Sequence, residues 1–195
     1  MRKRSIPVFL TLTLASAGTL GIARLHASEQ TATADAPTAQ AGDPVRARLA
    51  ALAGRWTVRQ TLWTASDKPP AVDEGTAVFT IVLAGHHLRQ ELRVDSATPF
   101  EGLGYIGYDE AMGRYDSVWM DVNFGGVILA HGDYAPARAT YTFVGAVPDP
   151  AKRGGTMPLR EVMHVADADH VTYDYYETHG DKEALAVRLE YTRVK

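Results

Sequence analysis

From Trp56 to the C-terminus the chain alternates apolar and polar residues in short runs, and none of them carries a helical period. The runs are Trp56–Trp63, Gly75–Leu83, His87–Asp95, Phe100–Tyr108, Tyr115–Val122, Val127–Tyr134, Ala139–Val147, Pro158–Ala166, Val171–Glu177 and Ala184–Val194. Turn-forming residues separate them, among them Asp67-Lys68-Pro69-Pro70, Ala84-Gly85, Thr98-Pro99, Gly125-Gly126, Pro148–Gly155 and Gly180-Asp181. A period of two is what a strand with one buried face produces. Short strands joined by tight turns form an antiparallel meander. The clearest hairpin is "GYDEAMGRY", in which Gly113 supplies the positive φ of the turn. Parallel βαβ architecture needs crossover helices and is excluded. A sheet of about ten strands must close into a barrel or split into a sandwich to protect its edges.

The two ends of the run decide between these. In the last strand Leu185, Val187, Leu189, Tyr191 and Arg193 share one face, which is almost wholly apolar and so points inward. An inward Arg193 is costly unless its guanidinium meets acceptors or a π-face. Trp56 opens the first strand, and in a closed barrel the first and last strands are neighbours. Before it, Asp43-Pro44 reads as an N-cap and a proline at the first helical position, and Val45, Leu49, Leu52 and Ala53 recur at helical spacing. A short helix is predicted over Pro44–Ala53, with Gly54 as its left-handed stop. Helix, Gly54, Trp56 and Arg193 together predict a plug. The expected fold is all-β: an antiparallel up-and-down barrel of about ten strands whose short N-terminal helix closes one end.

Gly54-x-Trp56 after a helix, with an inward arginine near the end of the final strand, resembles the calycin superfamily of lipocalins and fatty-acid-binding proteins. The segments "LAGRW", "FEGLGYIGYDEAMGRY", "LREVMHV" and "EYTR" resemble more closely the bacterial domain-of-unknown-function family 1579, over approximately Leu49 to Arg193. That resemblance implies a lipocalin-like barrel and carries no established catalytic residues. The long N-terminal extension and the loop "PDPAKRGGTMP" depart from the family pattern.

The N-terminus has the pattern of an export signal. Basic "MRKR", apolar Ile6–Ala15 and the small residue ending Leu25-His26-Ala27 assign residues 1–27 to a signal peptide, with Ala15-Ser16-Ala17 as a second cleavage point. An uncleaved N-terminal anchor is the alternative, since Ile6–Ala23 carries no charge. Residues 28–43, rich in Ala and Thr, read as a tether, and 44–195 as the barrel domain. The expected location is periplasmic or secreted, without a stable membrane span after processing. Cleavage after Ala27 removes Arg2, Lys3, Arg4 and Arg24, leaving 16 basic residues against 23 acidic ones, a formal charge of −7. Such a chain repels phosphate backbones, which argues against nucleic acid. Without cysteine there is no thiolate catalysis and no Cys-ligated zinc.

The expected partner is a small apolar or amphipathic molecule held in the lumen. Candidate pocket residues are those predicted to combine an inward face with a polar tip or aromatic body: Gln90, Trp119, His131, Glu161, Tyr173 and Tyr175. The strand around Trp119 is ambiguous, with Tyr115/Ser117/Trp119/Asp121 set against Asp116/Val118/Met120/Val122. Gly54, Trp56 and Arg193 are assigned to barrel closure. No metal site and no cofactor are expected. Haem-binding barrels of the nitrobindin type resemble this chain in size and use one inward histidine, so His131, on the Val127/Leu129 face, is the residue on which a haem alternative rests. Asp167-Ala-Asp169 reads as an acidic hairpin loop rather than a calcium site. No Gly-x-Ser-x-Gly elbow is present. Two rivals to ligand binding stay open: a barrel enzyme using Glu161 or Glu101 as acid/base, and a closed interaction module without a ligand. Salt bridges from Arg89 or Arg160 are the plain alternative for those two glutamates.

Overall fold

A computed structural model describes residues 43–64, 68–149 and 151–195. The predicted signal peptide and all of the tether but Asp43 lie outside the described residues.

One helix, α1 (Pro44–Ala51), precedes ten strands: β1 (Gly54–Leu62), β2 (Ala71–Val82), β3 (His87–Val94), β4 (Phe100–Asp109), β5 (Arg114–Asp121), β6 (Phe124–Ala135), β7 (Thr140–Pro148), β8 (Thr156–Val165), β9 (His170–His179) and β10 (Lys182–Arg193). Every strand pairs antiparallel with its neighbour in sequence, and β10 pairs with β1 to close the barrel. The meander therefore curls into an up-and-down barrel rather than a sandwich. The β4–β5 hairpin is tied as its sequence demands. Asp109 Oδ1 accepts from the amides of Ala111 and Met112 at 2.9 and 3.0 Å, and Gly113 has φ +65°.

Closure rests on the plug. Trp56 and Arg193 are directly paired across β1 and β10, and the guanidinium lies 4.1 Å from the indole centroid. It also donates to three carbonyls at 2.7 Å: Nη1 to Ala53, Nη2 to Ala51 and Nε to Ala168. Trp56 is 1% exposed and its Nε1 donates to Leu52 O at 3.1 Å. The guanidinium thus satisfies carbonyls left free where α1 ends and holds the helix across the barrel mouth. Leu49 and Leu52 turn inward from α1 onto this layer.

Four expectations need correction. The helix ends at Ala51, with Leu52 in a right-handed conformation, so Gly54 is not its left-handed stop. Gly54 is the first residue of β1, with φ +143°, and a Cβ there would sit 2.5 Å from Arg193 Nη1. Glycine is required because the guanidinium occupies the space of a side chain. Gly125-Gly126 lies within β6; the turn is Val122-Asn123, held by Asp121 Oδ1 accepting from Asn123 N at 2.8 Å. A register shift at Leu185/Val187 sets Leu185 opposite the outward Tyr176, whereas Val187 pairs with the inward Tyr175. Leu185 therefore leaves the interior face that Val187, Leu189 and Tyr191 occupy.

The fourth correction concerns β6. Its inward positions are Ile128, Ala130, Gly132 and Tyr134, while Val127 and Leu129 are 52% and 55% exposed. His131 shares their outward face, where its Nδ1 lies 2.6 Å from Asp116 Oδ1. The strand puts its small residues inside because the rings of Tyr141 and Phe143 on β7 already fill that part of the core.

Candidate functional site

The lumen is divided along its axis. From α1 to mid-barrel the core is formed by Trp56, Phe79, Leu88, Tyr115, Tyr141, Met163 and Tyr191, several of them in edge-to-face contact, with a smaller hollow of about 240 Å³ left under α1 between Arg48, Leu52, Tyr134 and Val165. Beyond that layer, toward the β5–β6 and β9–β10 turns, lies a cavity of about 330 Å³. That volume is at the small end of the range for small-molecule sites. Leu92, Ile128, Val147, Leu159, Val187 and Leu189 form its apolar walls. Gln60, Asp121, Asn123 and Glu177 bring polar groups to it.

One wall is built from a glycine pair. The inward face of β4 runs Phe100, Gly102, Gly104, Ile106, and Trp119 of β5 is paired with Gly104. The indole lies flat over both glycines. A Cβ on Gly102 would meet its Cη2 at 2.5 Å, with Cζ2 closer still, and one on Gly104 would meet its Cε3 at 2.9 Å. Trp119 Nε1 donates to Asp121 Oδ2 at 2.9 Å, and Phe100 stacks against the ring at 6.5 Å between centroids. The ambiguous strand is thereby resolved: Tyr115, Ser117, Trp119 and Asp121 face inward. Without side chains at 102 and 104 the largest ring of this wall recedes into it, and the lumen stays open in front.

Glu161 closes the floor. It is 1% exposed, and its Oε2 accepts from Tyr173 Oη at 2.6 Å and Ser117 Oγ at 3.0 Å. Burial pushes its carboxyl above the usual carboxylate range, and these two hydrogen bonds oppose that only in part. Among the described residues no cation answers it: Arg160 pairs with Glu183 at 2.7 Å on the outer surface, and Arg89 bonds Glu91 there. The salt bridges expected for this glutamate do not form. Glu101, the other candidate, faces outward toward Arg93 at 3.7 Å, so the two carboxylates make no pair. Burial and the Glu161 carboxylate likewise raise the phenols of Tyr173 and Tyr175, whose rings stack at 4.7 Å. Gln90, in the layer below, donates to Tyr191 Oη at 2.7 Å.

Of the predicted pocket residues, Trp119, Glu161 and Tyr175 line the cavity. Gln90 and Tyr173 support its floor from beneath. His131 is outside, and no histidine is among the residues lining the cavity, so the ligand that a haem iron would require is not supplied there. Among the described residues no three His, Cys, Asp or Glu side chains are grouped to hold a metal ion. Phe100, Phe124 and the glycine pair went unrecognised in the sequence. The signal was present in "FEGLGYIGY": two glycines two residues apart on one strand face mark a surface that another group must approach closely.

A family model described as "Protein of unknown function (DUF1579)" matches residues 42–193. The chain belongs to this family. No curated protein matches it. Among solved structures, this family member is similar to the crystal structure of Rv2717c from M. tuberculosis, with TM-score 0.61 and 15% identity over 78% of this chain and 99% of that one. At that identity the likeness concerns the fold alone. A redesigned β-barrel, b11L5F_LGL, aligns with TM-score 0.39 and 13% identity over 76% of this chain and 96% of its own.

Proposed function

We propose that this protein is a lipocalin-like binding protein for a compact, largely apolar molecule held in the open half of the barrel. The observation that carries this is the division of the lumen. A chain selected only for a stable barrel fills its interior with side chains throughout. This one gathers its large aromatic side chains toward α1 and, in the other half, lays Trp119 against two glycines so that the space in front is left free. Apolar walls with a few polar groups at floor and rim match the usual composition of a small-molecule site. The N-terminal export pattern is consistent with a periplasmic or secreted carrier.

The test is native mass spectrometry of the purified protein against a library of small amphiphiles, with thermal shift as a second readout. Saturation at a hundred times Kd stabilises a single-site binder by about 2.7 kcal/mol. Adducts that vanish in a cavity-filling variant such as Leu159→Trp support the proposal. A crystal structure with the upper lumen filled by the protein's own side chains overturns it.

One observation favours a second reading, in which the barrel also acts on its guest. Glu161 is a buried carboxyl with raised proton affinity at the floor of a cavity, which is the arrangement of a general acid. Conversion of a bound compound that stops in Glu161→Gln, with binding retained, would establish it.

A further inference from the structure

The cavity has a sign. Its lining residues include three carboxylates, Asp121, Glu161 and Glu177, and no lysine, arginine or histidine. Of the basic residues near that end, His179 lies 3.1 Å from Glu177 Oε2, Arg93 lies toward Glu101 at 3.7 Å on the outside, and Lys68, Lys152, Arg153 and Lys182 sit in or beside the connecting turns; none of them lines the cavity. Glu161 adds an observation of a different kind. Both of its hydrogen bonds go to Oε2; Oε1 accepts none from the described residues. Nor is Oε1 among the polar side-chain atoms sealed from solvent without a partner, so it borders open space, and Glu161 lines both the main cavity and a hollow of about 10 Å³ beside Gln90, Ser117 and Tyr173. A carboxyl buried to 1% thus presents one unpartnered oxygen to the empty space. The groups around it are Ser117 from β5 and Tyr173 and Tyr175 from β9, none of them a cation.

Aromatic faces complete the set. Trp119 and Phe100 form a stacked pair on one wall, and Phe124 and Tyr175 line the same space. A tryptophan face is the strongest of the aromatic partners for an organic cation, and a desolvated setting increases that attraction. For a carboxylate ligand the same site is hostile, since its head group would be desolvated among three acidic side chains with no cation in the lining to offset the cost.

We propose that the ligand is an organic ammonium with an apolar body, its nitrogen directed at Glu161 Oε1 and its hydrocarbon against the Trp119 wall. This rests on the binding reading above and narrows it: of the amphiphiles that fit the volume, amines are selected and fatty acids rejected. The bound ammonium supplies the counter-charge that the fold withholds from Glu161, and Asp121 and Glu177 draw cations to the mouth.

Three probes of matched size separate the possibilities: 2-phenylethylammonium, 2-phenylethanol and 3-phenylpropanoate, titrated calorimetrically into the full-length protein at pH 7. The expected order is ammonium first, at least tenfold tighter than the alcohol, with the carboxylate weakest. Glu161→Gln keeps the side-chain shape and an acceptor for Ser117 and Tyr173. It should abolish the ammonium's advantage while leaving the alcohol's affinity within twofold. Should that variant fail to fold, the order among the three probes on the parent protein decides alone. Equal affinity for ammonium and alcohol, or preference for the carboxylate, overturns the charge assignment and leaves the pocket standing. Absence of binding by all three overturns both.

Discussion

Replacing Gly102 by alanine adds one methyl group, and the structure specifies what that group meets. The three nearest heavy atoms to the new Cβ all belong to Trp119: Cη2 at 2.5 Å, Cε2 at 3.1 Å and Cζ2 closer than either. Ordinary carbon contacts lie at about 3.5–4 Å, so the indole must recede by about 1 Å or more. The only free direction is into the cavity, away from the glycine pair and from Asp121, to which Nε1 donates at 2.9 Å. Over-packing of this kind costs about 1–3 kcal/mol. Weakening the hydrogen bond adds about 1 kcal/mol, while the lower chain entropy of alanine in the unfolded state returns about 0.5–1 kcal/mol. A net loss of about 1–3 kcal/mol is expected. In a Trp119→Leu background the obstacle is gone, and the same substitution should be neutral or stabilising by about 0.5 kcal/mol. The coupling in this double-mutant cycle is therefore about 2 kcal/mol. Urea unfolding followed by far-ultraviolet circular dichroism measures all four variants without relying on tryptophan emission. Equal effects of Gly102→Ala in both backgrounds would refute the role given to the glycine pair.

Further predictions concern the plug, the floor and the outer face. Arg193→Met removes three hydrogen bonds to carbonyls and the contact with Trp56; it should cost about 2–4 kcal/mol in urea unfolding, and Arg193→Lys should recover only part of it. Because the folded state raises the proton affinity of Glu161, this group's contribution to stability is fully present below the unfolded carboxylate pKa of about 4.3 and is lost as pH rises through the folded value. Glu161→Gln should flatten that slope, so its stability relative to the parent increases from pH 4 to pH 8; an unchanged gap would contradict the assignment. His131→Ala, on the outer surface beside Asp116, should change stability by no more than about 0.5 kcal/mol and leave ligand affinity unaltered.

The fold was legible because its signals are redundant. Ten alternating runs give ten strands, and the alternation within β10 is enough to mark Arg193 as an inward charge in need of a partner. Gln90 and Glu161 were equally legible, each sitting among apolar residues two apart on its strand. The failures have physical sources that can be named. Apolarity tells which face is buried only when the inward residues are also the larger hydrophobes. On β6 the interior takes Ala130 and Gly132 because β7 fills the space, so the conspicuous Val127 and Leu129 point outward and His131 goes with them. A bulge is still less visible: the single-residue shift that turns Leu185 away from the lumen leaves no mark on the alternation. Of the hollow itself only the glycine pair was legible, as a face that some group must approach closely; which ring takes that place, and how much space it leaves, depends on the partner strand.

The guanidinium of Arg193 grips a carbonyl 140 positions earlier in the chain. A ribosome must therefore deliver every intervening strand before the ring can be fastened. Until that moment β1 has no seam to join on its outer side, and the growing molecule is a strip rather than a vessel. A protein that cannot lock itself early keeps both edges of its sheet unpaired until synthesis is nearly complete. Loss of β10 alone would leave the strip permanently unbuckled.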